Sequence, residues 1–142
     1  MELTAVIAIL AVVATATIGR FSTGTLQNCA AAGFARTFAV DLLQARRRAI
    51  ATGQNHYLSV TNSGGNVASY VMYRDTTGAD TIVDKTRTIP AGVTATASHT
   101  TLEYDFDGAS LAAYTMTITG PTRTWAVSTT MATGAVSTTI TP

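Results

Sequence analysis

"VDLLQARRRAIATGQNHYLSV", residues 40–60, changes its hydrophobic period in the middle. Up to Ala49 the spacing is helical. Phe34, Phe38, Leu42, Ala45 and Ala49 recur three or four residues apart and form one face. Arg36, Asp41, Gln44, Arg47 and Arg48 are read as lying largely off that face. Gly53 is a natural stop, because the residue after a helix end adopts a left-handed conformation that glycine tolerates. Beyond it the period becomes two, the mark of strands. The switch predicts an amphipathic helix over 26–52 followed by strands within 54–142.

The strands are read from alternation: "HYLSVT" (56–61), "VASYVMY" (67–73), "TLEYDF" (101–106), "AYTMTIT" (113–119), "TRTWAVST" (122–129) and "AVSTTIT" (135–141). "NSGGN" between the first two is a hairpin turn. "DTTGAD", "IPAG", "DFDGAS", "TGPT" and "ATGA" punctuate the rest. Short antiparallel strands need an apolar cover, and the helix face supplies it. The fold class is therefore α+β: a long N-terminal helix packed on an antiparallel sheet or small sandwich. Trp125 and Tyr114 are assigned to its core. In the last hairpin Trp125, Val127, Val136 and Ile140 are expected on the inward or subunit-facing side. Thr124, Ser128, Thr130, Ser137 and Thr139 are expected on the other side, as candidates for O-linked sugar.

Upstream, Leu3 to Ile18 is apolar on every side and uncharged, with the acid Glu2 just before it and Arg20 just after. About 17 residues span roughly 26 Å, marginal for a hydrocarbon core of about 30 Å. A carboxylate within hydrocarbon costs roughly 2.5–3.5 kcal/mol, so Glu2 needs a compensating partner. The stretch lacks the basic flank and cleavage site of a secretory signal and reads as a chain whose leader has been removed. "GRFSTGT" (19–25) is a weak point in any helix, with Gly19 and Gly24 its softest positions. The chain divides into 1–25, an apolar helix and joint, and 26–142, a globular domain.

Composition excludes several functions. Only 12 % of the 142 residues are charged, with net charge +1, so nucleic acid is not an expected partner. Cys29 is the single cysteine, which forbids an intramolecular disulfide; it is read as a buried structural thiol. No catalytic constellation is present, and His56 and His99 have no metal-ligand neighbours at the right spacing. No enzyme activity, cofactor or metal is expected. His56 is read as a surface residue. Asp105 and Asp107 are read as part of a turn, and Asp75, Asp80 and Asp84 as a solvated cluster. In "RRR" (46–48), Arg46 is expected near the sheet and Arg47 and Arg48 on a solvated or intersubunit face.

The order of these parts resembles the type IV pilins and pseudopilins. "MELTAVIAILAVVATATIG" looks like the processed N-terminus of that family. The segment 40–60 and "LEYDFDGASLAAYTMTIT…TRTWAVSTTMATGAV" are similar to the pseudopilin H of type II secretion and to FimT-like pilins. The resemblance implies a structural subunit of an extracellular type IV pilus-like helical filament of bacteria. The alternatives are a minor pseudopilin of type II secretion and a DNA-binding minor pilin. It implies three kinds of partner: other copies of the chain, the inner-membrane assembly machinery and a prepilin peptidase. It places the chain in the inner membrane before assembly. By the same resemblance Glu2 and Met1 are assembly residues, the acid meeting the N-terminal amine of a neighbouring subunit. The acid stands second here and is usually fifth in the family, so either residues precede Met1 or the terminus is atypical. The basic C-terminal stretch of DNA-binding members has no counterpart, since Gly134–Pro142 holds no Lys or Arg.

Overall fold

A computed structural model describes residues 5–12 and 23–142. Met1, Glu2 and Gly19 lie outside the described residues. Residues 5–12 are helical (α1), and α2 runs Thr23–Thr52. Nine strands follow: β1 His56–Ser63, β2 Asn66–Arg74, β3 Thr81–Ile82, β4 Arg87–Thr88, β5 Thr94–Ala97, β6 Thr101–Tyr104, β7 Thr115–Thr119, β8 Thr124–Thr129 and β9 Val136–Thr141. The α+β architecture is that expected from the sequence. The described helix already includes Thr23–Thr25, so it extends upstream of residue 26 and takes in Gly24.

Gly53 ends α2 as its position requires: φ is 64° and its N–H donates to the Ala49 carbonyl at 2.9 Å. The next chain reversal, between β1 and β2, is made by Gly64 and Gly65 at φ 59° and 83°. Two successive positive φ values match the right-handed twist of a tight hairpin.

The strands form two antiparallel sheets. One has the order β3-β2-β1-β6, with β4 also paired to β2; the other is β5-β7-β8-β9. Helix α2 lies across both. Near its start, Asn28 donates to the Thr122 hydroxyl at 2.7 Å in the β7–β8 turn. Near its end, Arg46 Nε donates to the Gly108 carbonyl at 3.0 Å beyond β6. Ala31, Ala35, Ala45 and Ala49 are buried and let the helix sit close to the strands. Phe34 and Phe38 meet the Tyr70 ring edge-on at 5.9 and 5.2 Å. Leu58, Met72, Leu102, Met116, Ile118 and Val127 complete the core from the strands. Burial of each such side chain contributes about 1.5–3 kcal/mol.

Several expectations are corrected. Asp41 is buried, held on the core-facing side by partners described below. His56 is 1 % exposed, because it shares the inward parity of Leu58 and Val60 on β1. Cys29 is exposed, on the rim of an open depression between α2 and the start of β8. Ile140, opposite Trp125 on the edge strand β9, is 62 % exposed within the single chain, as the inward or subunit-facing side expected for it allows. Trp125 and Tyr114 are in the core as expected, each 5 % exposed. Strands β3, β4 and β5 were not legible from alternation.

Candidate functional site

Two regions hold the features from which a function can be argued: the apolar first helix and the polar girdle that fixes α2 to the sheets. In α1 the large apolar side chains face outward. Val6, Ile7, Ile9 and Leu10 are 53 %, 58 %, 64 % and 62 % exposed. Such a run is stable in water only if lipid or other helices cover it. Among the described residues no helix is long and apolar enough to cross a membrane.

The girdle begins at Asp41. Its Oδ2 accepts from the Tyr70 hydroxyl at 2.7 Å and from Arg87 Nε at 2.8 Å, and its Oδ1 accepts from Arg87 Nη2 at 3.1 Å. Asp84 lies 3.8 Å from Arg87 Nη2 and adds negative charge. Burial, with the Asp41 carboxylate beside it, pushes the Tyr70 hydroxyl well above its ordinary range. The Asp41 hydrogen bonds hold the Arg87 guanidinium more firmly protonated than usual. The network ties the segment around β4 to the middle of α2.

Arg46 and Arg48 extend the girdle toward the end of the helix. Arg48 Nη1 donates to the Val83 carbonyl at 2.7 Å, so it is a tether to the β3–β4 segment and not the solvated residue expected; Arg47 is exposed. His56 lies nearby, with Nδ1 3.0 Å from the Gln54 carbonyl. Burial lowers its pKa, the Gln54 bond partly offsets this, and Arg48 and Arg74 lower it further. Asp80 accepts from the Tyr57 hydroxyl at 2.6 Å, a bond that holds its carboxyl below the usual range. Asp105 and Asp107 cap their own turn through the N–H groups of Phe106 and Ala109, as a turn reading requires.

No His, Cys, Asp and Glu group of three or more could hold a metal among the described residues. Cys29 borders an open depression of about 330 Å³ with Arg123 and Trp125 on its far side. Of the hydroxyls singled out from the sequence, Thr130, Ser137 and Thr139 are exposed. Thr124 and Ser128 are half-buried, and Ser128 bonds the Thr115 hydroxyl at 3.1 Å. Sequence reasoning missed the partnership of Asp41 with Arg87, for which only the helical position of Asp41 was a signal.

Residues 35–133 match the family described as type II transport protein GspH. No curated protein matches the chain. Among solved structures, the chain is similar to the minor pseudopilin EpsH from the type 2 secretion system of Vibrio cholerae. The identity is 16 %, over 77 % of this chain and 95 % of that one, with a TM-score of 0.64. It is also similar to the type IV minor pilin FimU of Pseudomonas aeruginosa in two crystal forms. The identity is 14 % in each, over 76 % and 83 % of this chain and 90 % of those chains, with TM-scores of 0.57 and 0.59.

Proposed function

The chain belongs to the GspH family of type II transport proteins, within the pilin and pseudopilin superfamily, and on that premise we propose that it is a structural subunit of a pilus-like filament. Family and fold are those of structural pilins and pseudopilins, not enzymes. The observation that carries the proposal is the exposed apolar side of α1 at Val6, Ile7, Ile9 and Leu10. These residues enter a bundle of like helices at the filament centre, and the two sheets form the outer wall. Before assembly the same segment anchors the chain in the inner membrane. Glu2 then pairs with the N-terminal amine of a neighbour, which offsets the cost of a carboxylate in an apolar bundle.

The membership favours the place of a minor pseudopilin in type II secretion over that of a major pilin. DNA capture has little support, because Thr124–Thr141 holds no Lys or Arg. The test is Glu2→Gln, which keeps shape and removes charge. Filament incorporation falls while the thermal unfolding of the sheet domain is unchanged. Normal incorporation of the variant defeats the role given to Glu2.

A further inference from the structure

Helix α2 carries two apolar stripes, and the sheets cover only one of them. The uncovered stripe has a period of its own. Leu26, Gly33, Val40 and Arg47 stand seven residues apart, with Arg36 and Leu43 three residues after Gly33 and Val40. Leu26 and Val40 are each 59 % exposed, Gly33, Arg36 and Arg47 are exposed, and Leu43 is half-buried. At about 100° per residue, all six fall within about 60° of the line opposite Phe38. A seven-residue repeat of this kind is the seam of a left-handed pair of helices. Gly33 is a second sign. Its φ is ordinary for a helix, and a Cβ added to it would meet nothing within 4 Å beyond its own turn. Nothing within the chain calls for a glycine there, and glycine weakens a helix interior. In the middle of a seam it lets another backbone come close.

Charge selects the occupant. The only acid on α2, Asp41, is buried against Arg87. Arg46 and Arg48 hold the Gly108 and Val83 carbonyls. Arg36 and Arg47 are left on the open side, about 16 Å apart along the helix, and neither has an ion pair among the described residues. We propose that this stripe docks one helix of a non-identical pilin-type subunit, running parallel to α2 and presenting two carboxylates spaced to meet Arg36 and Arg47. The parallel direction rests on the filament reading above, which gives the N-terminal helices of all subunits one membrane and one bundle.

A guanidinium enclosed in a helix seam loses water and needs an acid opposite it. A second copy of this chain does not supply the pair. Residues 1–52 hold two acids, Glu2 and Asp41. These are far more widely spaced than Arg36 and Arg47, and Asp41 is buried. No register of two parallel copies therefore sets an available acid against both arginines. Two copies in register set Arg36 against Arg36 and Arg47 against Arg47, which is repulsive. A single polar residue in a seam also fixes register, so the two arginines decide how far the partner helix is shifted along α2.

The test uses full-length chains in filaments purified from cells that overproduce the assembly machinery. Arg36→Lys and Arg47→Lys keep the charge and add an amine, which a carbodiimide joins to a carboxylate in contact with it. Sequencing of the joined peptides is expected to place both introduced lysines on Asp or Glu of one helix from a different subunit. The acid that meets position 36 lies nearer that subunit's N-terminus, as parallel packing requires. Arg36→Glu combined with Arg47→Glu sets acid against acid and lowers recovery of the chain in filaments at least about tenfold. Thermal unfolding of the sheet domain is unchanged in that variant, because both side chains are exposed. Joining to a second copy of this chain, joining to no helix, or undiminished recovery of the double variant overturns the proposal and leaves the filament reading standing. Absence of the unsubstituted chain from the filaments overturns both.

Discussion

Asp41 on α2 and Arg87 on β4, 46 residues apart in sequence, meet through two hydrogen bonds of 2.8 and 3.1 Å, and the Asp41 side chain is only 4 % exposed. The Tyr70 hydroxyl adds a third bond to the same carboxylate. The pair fixes a segment whose own strands, β3 and β4, have two residues each. Breaking a buried pair from one side leaves the partner uncompensated, at a cost of about 3–5 kcal/mol. Arg87 is 27 % exposed and can turn partly to water, so the cost falls at the lower end. Asp41→Asn is expected to destabilise by about 3 kcal/mol, read from urea unfolding. Replacing both partners, as in Asp41→Leu with Arg87→Met, recovers much of the loss.

His56 couples stability to pH. Its pKa in the folded chain lies below 6.5, chiefly through burial. The unfolded chain therefore binds the proton first as pH falls. Stability from this group is complete above pH 6.5 and is lost as pH drops below it toward the folded value. Unfolding followed from pH 8 down to pH 5.5 shows a decline that His56→Gln flattens. A decline of equal slope in that variant assigns the effect elsewhere.

Phe38 is fully buried and sits edge-on to Tyr70. Phe38→Ala removes a ring from the centre of the helix–sheet contact and costs about 3–5 kcal/mol. Arg47→Ala, on the exposed side of the same helix, stays within about 0.5 kcal/mol of the parent. Paired denaturant curves check both values.

Cys29 is exposed in the folded chain. A maleimide is expected to label it to completion without denaturant. Labelling that requires unfolding contradicts the orientation of the first half of α2.

The fold was legible where a pattern repeats. Gly53 marks the switch from helical to strand period, and alternation places Trp125 and Val127 inward. The errors share one cause: residue type was weighed above position. At about 100° per residue, Asp41 lies about 60° from Phe38, inside the buried stripe. Arg46 and Arg48 fall about 80° to either side of Phe38, while Arg47 and Cys29 fall about 180° away. His56 has the same parity as Leu58. Nothing local reveals that Arg87 is the partner of Asp41, because that pairing exists only once β4 lies beside β2. Strands of two residues carry no alternation to read. Glu2 lies outside the described residues, and the role proposed for it rests on its isolation in an apolar run and on the family resemblance.

The central claim is that this chain is a filament subunit joined through its N-terminal helix. Quantitative mass spectrometry of filaments purified from cells that overproduce the assembly machinery tests it most directly. Peptides of this chain are predicted to stay with the filaments through high-salt washing, at a constant ratio to the major subunit. Recovery of the chain only in the membrane fraction, with filaments devoid of it, would contradict the account.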